Sequence, residues 1–429
     1  MPPEITEKII SYLDAGSLFC LGLVNKHFHE LAENNAMWYR FYTWQRAKTK
    51  TSSLMKDVTD EVDMDRIPEK PKGYWKRVFF EELASRNKSW KKKLKSINSY
   101  TGLPIRTAEV LRSSGVTWEM TVRDAQAENR IKHTHVYLSQ ASLTVGWSSG
   151  NWPTLNEPAT LELHGVMFVP INCPIACRPG WRSLLSKVVV KKNGGTMYGS
   201  DGIITLLDIG NGVTVGVWQK QQEIAFVLAT LHYHRLVERT LLGSSTTSVS
   251  PYDVTDMRAP FDDIDPDYGL HSYSMHLELH NTQKSIVSVS FSQLFCRKDQ
   301  IADGYVPLQV ISKANRSRQT PLCRKISLPW RTEALRGHVE NCCMLTLTVL
   351  TEAQTPFWCV SAPVAMANSN ITDVSYACNG ESYFMEYKDT DGKMVMELEW
   401  TEEQKQFIMV DLILFLSISK VNRYFGRNY

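Results

Sequence analysis

Apolar positions in the first forty residues recur at helical spacing in three short runs. Ile5, Ile9 and Leu13 lie four apart and predict one face of a first helix. Asp14-Ala15-Gly16 reads as a stop, with Ser17 the predicted N-cap of a second segment, SLFCLGLV. Asn25 is placed to cap a third, in which Phe28, Leu31 and Ala32 repeat; Trp38, Tyr39, Phe41 and Tyr42 close the block. The second segment points Leu18, Phe19, Leu21, Leu23 and Val24 in nearly every direction, so it must be covered on all sides. Helices this short are marginal alone, below the roughly 12–15 residues needed in water. The trio therefore needs either the rest of the chain or another protein to bury its surface.

A polar stretch from Thr43 to Gly73 follows and reads as a linker. Helical periodicity returns at Tyr74, Trp75, Val78, Phe79 and Leu83 and runs into RNKSWKKKLKSI. NSYTGLP is turn-like, and TAEVLRSSG predicts a short helix ended by Gly115. From about Trp118 the period changes to two. HVYLSQASLTVGW, ATLELHGVMFVPI and GIITLLDIGNGVTVGVW read as strands, the last a hairpin turning on Gly210-Asn211-Gly212. Ser274–His280, Ile286–Phe291, Val306–Ile311, Met344–Leu350, Phe357–Val364, Tyr383–Tyr387, Val395–Trp400 and Phe407–Leu416 continue the series. EIAFVLATLHYHRLVERTLLG reads as a strand leading into a helix, and residues 244–267 as a long acidic loop. The expected fold is α+β: a small three-helix block over 1–42, a linker with helices over 43–117, and a large antiparallel β-rich domain over 118–429, sandwich or barrel.

Composition narrows the class. Of 429 residues, 43% are hydrophobic and 22% charged, ordinary for a folded domain protein. A net charge of +3 gives no global pull toward nucleic acid or membrane. The apolar run Phe407–Leu416 is broken by Asp411 and falls short of the roughly 20 residues that span a bilayer. MPPEITEKII lacks the layout of a signal peptide. Nine cysteines, an odd number, fit reduced thiols. A soluble protein of the cytoplasm or nucleus is expected.

Candidate chemistry is sparse. His232 with His234, and His276 with His280, would each share a strand face, and His271 lies nearby, but zinc needs three or four converging ligands. Cys173 and Cys177 have no second half. Packed or hydrogen-bonded histidines are expected, with no metal and no cofactor. No nucleophile elbow, zincin motif or P-loop is present. Asp262, Asp263 and Asp265 sit in a Pro-containing loop, and Cys296, Cys323, Cys342, Cys343 and Cys359 lie in or beside apolar runs that favour inert thiols. No catalytic residue is expected. Two binding features remain as an alternative. The basic run Arg86–Lys95, with Trp90 interleaved, has the make-up of a nucleic-acid contact, or of a solvated helix face. Trp147, Trp152, Trp181, Trp218, Trp330, Trp358 and Trp400 are either core or a glycan platform, and core is the commoner fate.

Met1-Pro2-x-Glu4-Ile5, Ile9-Ile10-x-Tyr12-Leu13-Asp14, Ser17-Leu18, Val24-Asn25-Lys26-x-Phe28, Leu31 and Trp38 resemble an F-box. NSYTGLP, LHYHRLVERTLLGS, DYGLHSYSMHLELH and LSISKVNRYFG extend a likeness to F-box proteins across most of the chain. The resemblance implies docking to the Skp adaptor of cullin-based ubiquitin ligases. Pro2, Ile5, Ile9, Leu13, Leu18, Leu21, Val24 and Phe28 would then divide between a small core and the adaptor interface. Where the family has a leucine before the proline this chain has Met1, so upstream contacts are expected to be missing. The resemblance further implies a β domain that presents an unknown protein substrate, and a scaffold that needs no nucleophile of its own.

Overall fold

Side-chain caps start two of the three opening helices in the computed structural model. It describes residues 3–50, 70–85, 96–124, 127–150, 152–155, 157–168, 180–191, 194–236, 269–368 and 382–429. α1 spans Pro3–Ile10, α2 Ala15–Leu21 and α3 Lys26–Ala32. The cap of α2 is Asp14, not Ser17: the Asp14 carboxylate accepts the Ser17 N–H at 2.7 Å. That bond holds the Asp14 carboxyl below its ordinary value. Asn25 caps α3 as expected, accepting from Phe28 N–H at 2.8 Å.

α4, Asn35–Lys50, extends past the aromatic block into the stretch read as linker. α5, Tyr74–Ser85, packs against it. Trp38 is fully buried, its indole donating to the Ala32 carbonyl at 2.6 Å. Its ring lies 5.4 Å from both Phe79 and Phe80, while Trp75 meets Tyr39 and Tyr42. Asn35 ties the join, donating to the carbonyls of Lys70 and Pro71 and accepting from Trp75 N–H. Ile10, Leu18, Ala32, Met37, Trp38, Phe79 and Phe80 form one core, joined by Val110 of α6 (Thr107–Ser113) and by Met167.

The rest is antiparallel sheet. β1 (Thr117–Arg123), β2 (Glu128–Lys132), β5 (Ala159–Phe168) and β6 (Gly180–Val190) form a four-stranded sheet in the order β2-β1-β5-β6. Met167 therefore lies on β5. A six-stranded sheet uses β3 (His135–Leu138), β4 (Ser142–Trp147), β7 (Thr196–Ser200), β8 (Ile204–Asp208), β9 (Val213–Trp218) and β10 (Ile224–His232), ordered β3-β4-β10-β9-β8-β7. The hairpin between β8 and β9 turns through positive φ at Gly210, Asn211 and Gly212, as the residue types demand. Trp118, Met120, Leu161, Leu163, Val145, Val215 and Val227 belong to the core shared by these two sheets.

A third sheet curls until its ends approach. Its strands are β11 (Tyr273–His280), β12 (Ser285–Leu294), β13 (Tyr305–Ile311), β17 (Cys342–Leu350), β18 (Pro356–Asn368), β19 (Ser382–Lys388), β20 (Gly392–Thr401) and β21 (Gln406–Ser417). They run in the order β12-β11-β17-β18-β19-β20-β21-β13, and β12 comes back against β13. β14 (Thr320–Pro321) adds to β21, and β15 (Ser327–Arg331) pairs with β16 (Arg336–Glu340) as a separate ribbon. Inward-facing Met275, Leu277, Leu347, Val349, Met396 and Leu414 fill this nearly closed barrel. α7, Ile418–Phe425, packs Val421 and Phe425 against the same core, and Lys420 pairs with Asp391.

β17 is buried on both faces. One face lines the barrel; the other meets the six-stranded sheet through hydrogen bonds as well as apolar contact. Thr346 donates to Ser142 at 2.9 Å, and Thr348 Oγ1 bonds His232 Nε2 at 2.8 Å. The segment 223–243, read as a strand leading into a helix, is strand β10 followed by a 3₁₀ turn, Tyr233–Arg235; residues 237–243 lie outside the described residues. The basic run 86–95, Cys173, Cys177 and the acidic loop 244–267 lie outside the described residues.

Candidate functional site

The candidate adaptor face comes from α1 and the α2–α3 turn. Ile5 and Ile9 on α1 are each more than half exposed, and Val24 in the turn is 64% exposed. Leu13, Leu21 and Phe28 are partly buried against the core beneath. Leu18 has no exposed surface, so it serves the core and presents nothing to a partner. Pro2 lies outside the described residues. The structure also exposes Tyr12, at 80%, and Leu23. Neither was among the expected interface residues. Ile5, Ile9 and Tyr12 follow i, i+4, i+7 spacing, the signal that names the outer side of α1 and of the turn after it, whereas Ile10 turns inward.

Two of the cavities in the β domain meet at edge strand β3, and Tyr137 lines both. One, of about 600 Å³, is bounded by His135, Trp147, Phe226 and Trp330. The other, of about 550 Å³, lies between the 98–108 segment, the β3–β4 turn and the outer face of β11 and β12. Glu278 and Ser288 line it from the barrel, Gln140 and Ser139 from the turn, and Pro104 and Ile105 from the segment leading to α6. Glu278 is buried, and its carboxylate accepts the Gln140 N–H at 3.3 Å. Burial raises its carboxyl above the ordinary value, opposed by hydrogen bonds from Ser139 and Gln140.

The histidines belong to structure. The rings of His232 and His234 stack 5.3 Å apart, and His234 Nε2 lies 3.0 Å from the Thr101 carbonyl, tying the 98–104 turn to the 3₁₀ turn after β10. His276 and His280 flank Glu278 on the outer face of β11. Burial lowers His234 and His276 to about 4 and His280 to about 3, so all three are neutral at pH 7. Among the described residues no three His, Cys, Asp or Glu side chains converge as a metal site. Burial pushes the Cys342 thiol up to about 12 and the Cys343 thiol higher still. Trp147, Trp330 and Trp358 are buried in cores; Trp152, Trp218 and Trp400 are half-buried. Trp330 donates to Asp201 and Trp358 to Asp389, the ordinary way to satisfy a buried indole N–H. The side chain of Trp181 lies outside the described residues. No described helix is long and apolar enough to cross a membrane.

Residues 1–44 match the F-box-like family model. Across its whole length the chain is 37% identical, over 438 residues, to F-box only protein 15 of Macaca fascicularis, the match covering all of both proteins. It is 36% identical to F-box only protein 15 of Homo sapiens over 439 residues, covering 100% of this chain and 85% of that one. The Mus musculus protein of the same name is 32% identical over 442 residues, again with complete coverage of both. The helical block and the β domain thus match together, in one alignment, and the chain belongs to the F-box only protein 15 family.

Proposed function

We propose that this chain is the substrate-recognition subunit of a Skp–cullin–F-box ubiquitin ligase. F-box proteins are components of such complexes and act in ubiquitination through protein–protein contacts. The observation that carries the reading is the apolar surface left open on the opening helices. Ile5, Ile9, Tyr12, Leu23 and Val24 stay exposed even after α4 and α5 have covered the rest of the block. Leaving several large apolar side chains in water is unfavourable by roughly 1.5–3 kcal/mol each relative to full burial. A partner that covers them recovers that free energy, and the Skp adaptor is the partner the F-box implies. The cullin scaffold then joins through the adaptor, and the β domain holds the substrate.

In this role the chain supplies position rather than bond-making groups. Holding donor and acceptor together gives effective molarities up to about 10⁵ M or beyond. Cys342 and Cys343 support the reading, since burial keeps both protonated at neutral pH. The test is reconstitution with the Skp adaptor, a cullin scaffold and a charged ubiquitin-conjugating enzyme. A folded variant with every cysteine replaced by serine or alanine is expected to support transfer at the parental rate. A folded variant that binds adaptor and substrate normally yet transfers no ubiquitin would show chemistry of the chain's own.

A further inference from the structure

Glu278 is an unusual residue to find beneath a cavity. It lies on β11, in register with Ser288 on β12 and Thr346 on β17, so its face of the barrel ought to be solvated. Instead the β3–β4 turn and the 98–108 segment roof it over, leaving the residue 2% exposed beside about 550 Å³ of open volume. Its hydrogen-bond donors are neutral: the Gln140 N–H and the Ser139 and Ser285 hydroxyls. Among the described residues, no lysine or arginine forms an ion pair with it or acts on its carboxyl. A buried carboxylate without a cation is costly, and one that opens on a cavity is a receptor for the missing charge.

The walls specify the shape of that charge's carrier. Pro104, Ile105 and Leu138 make an apolar side, with Ile105 64% exposed. Tyr137 and Ser288 add hydroxyl acceptors, and the negative charge of Glu278 is felt at the Tyr137 phenol, which burial first and Glu278 second push up to about 12. An alkyl stem with a cationic tip fits both sides, because long basic side chains lay methylenes on apolar surface and keep the head on polar groups.

We infer that this cavity takes a lysine or arginine side chain of a bound protein, its cation on Glu278 and its stem along Ile105, Pro104 and Leu138. This deepens the substrate-recognition reading and rests on it. It gives that reading a chemical class: the substrate enters the β domain through a basic residue.

The test uses the full chain with n-butylguanidinium and n-butylammonium as probes and n-butanol as the uncharged control, followed by ligand-observed NMR titration. Saturable millimolar binding of at least one cation, and none of butanol, is expected. Whichever cation binds more tightly distinguishes arginine from lysine. Glu278→Gln should weaken the cation at least tenfold. Ser288→Arg gives an independent arm, since Ser288 is exposed and directly across from Glu278. Its guanidinium should occupy the site from within, abolish probe binding and raise the melting temperature, an increase lost in the Glu278→Gln background. Equal binding by parent and folded Ser288→Arg, or no saturable cation binding by the parent, would overturn the inference. Skp-adaptor capture measured on the same samples is expected to be unchanged in both variants. Loss of the pocket's binding is thereby distinguished from failure of the adaptor reading.

Discussion

Leu18 and Ile9 are neighbours in kind but not in role. Leu18→Ala removes a fully buried side chain and should lower the stability of the helical block by about 2–5 kcal/mol, read as a fall in its denaturation midpoint. Ile9→Asp, on the exposed side of α1, should leave that midpoint nearly unchanged while weakening Skp-adaptor capture at least tenfold, about 1.4 kcal/mol, in a pull-down titration. Unimpaired capture by Ile9→Asp would remove α1 from the proposed interface. The histidines make a second residue-scale prediction. The unfolded chain protonates His276 and His280 near pH 6.5, while burial holds the folded forms at about 4 and about 3. Below pH 6.5 the unfolded state binds the extra protons, so stability falls as pH drops from 6.5 toward 4. Urea midpoints at pH 7 and pH 5 should show this loss, and a His276→Gln, His280→Gln variant should show less of it. These identities were only half legible beforehand. Spacing placed Leu18 and Ile9 on helices, but an all-round apolar segment does not say which side another helix will cover. Asp14 and Ser17 are both good caps, and only the bend of the chain chooses between them.

At the scale of elements, α5 completes the helical block. Phe79 and Phe80 supply rings that pack on Trp38, each 5.4 Å from it. Phe79→Ala with Phe80→Ala should unfold the block and abolish adaptor capture, each truncation costing about 3–5 kcal/mol, with the sheet signature of the β domain retained by circular dichroism. If capture persists, α5 is dispensable and the F-box core ends with α4. The aromatic spacing of α5 was visible in sequence; its partner was not, because nothing local links Phe79 to Trp38 across forty residues. The pattern of β11 alternates strictly and is legible as a strand, and the apolar runs of β20 and β21 are legible as well. β6 was missed: GWRSLLSKVVV puts polar residues where its neighbours are apolar, and its place is fixed by pairing with β5. β17 and β10 read as plain apolar runs because both of their faces are covered.

For the whole molecule, the division near residue 118 is the point at which packing and periodicity part company. Leu103 and Leu111 are buried in the core that Trp118 and Met120 share, and the Thr101 carbonyl bonds His234. A fragment beginning at residue 96 should therefore be markedly more stable than one beginning at 118, and thermal unfolding of the two would show it. Equal melting temperatures would return 96–117 to the linker. The antiparallel β-rich fold was legible as a class, and a barrel was among the options. What sequence alone could not supply is the layering. Alternation on β11 fits the packed or hydrogen-bonded His276 and His280 that were expected, but it does not show that the β3–β4 turn and the 98–108 segment roof Glu278 between them.

Val110 and Met167 bear on the mechanics of such a machine. They join the F-box helices to α6 and β5 within one packed core, so the helical block and the β domain are not strung on a tether. On the proposed ligase role, such an arm would behave as a bracket and present its cargo at one height and tilt. The lysines modified on a substrate would then be those that fall within a narrow arc of the waiting ubiquitin. Softening the bracket at Val110 would broaden that arc while leaving both grips intact.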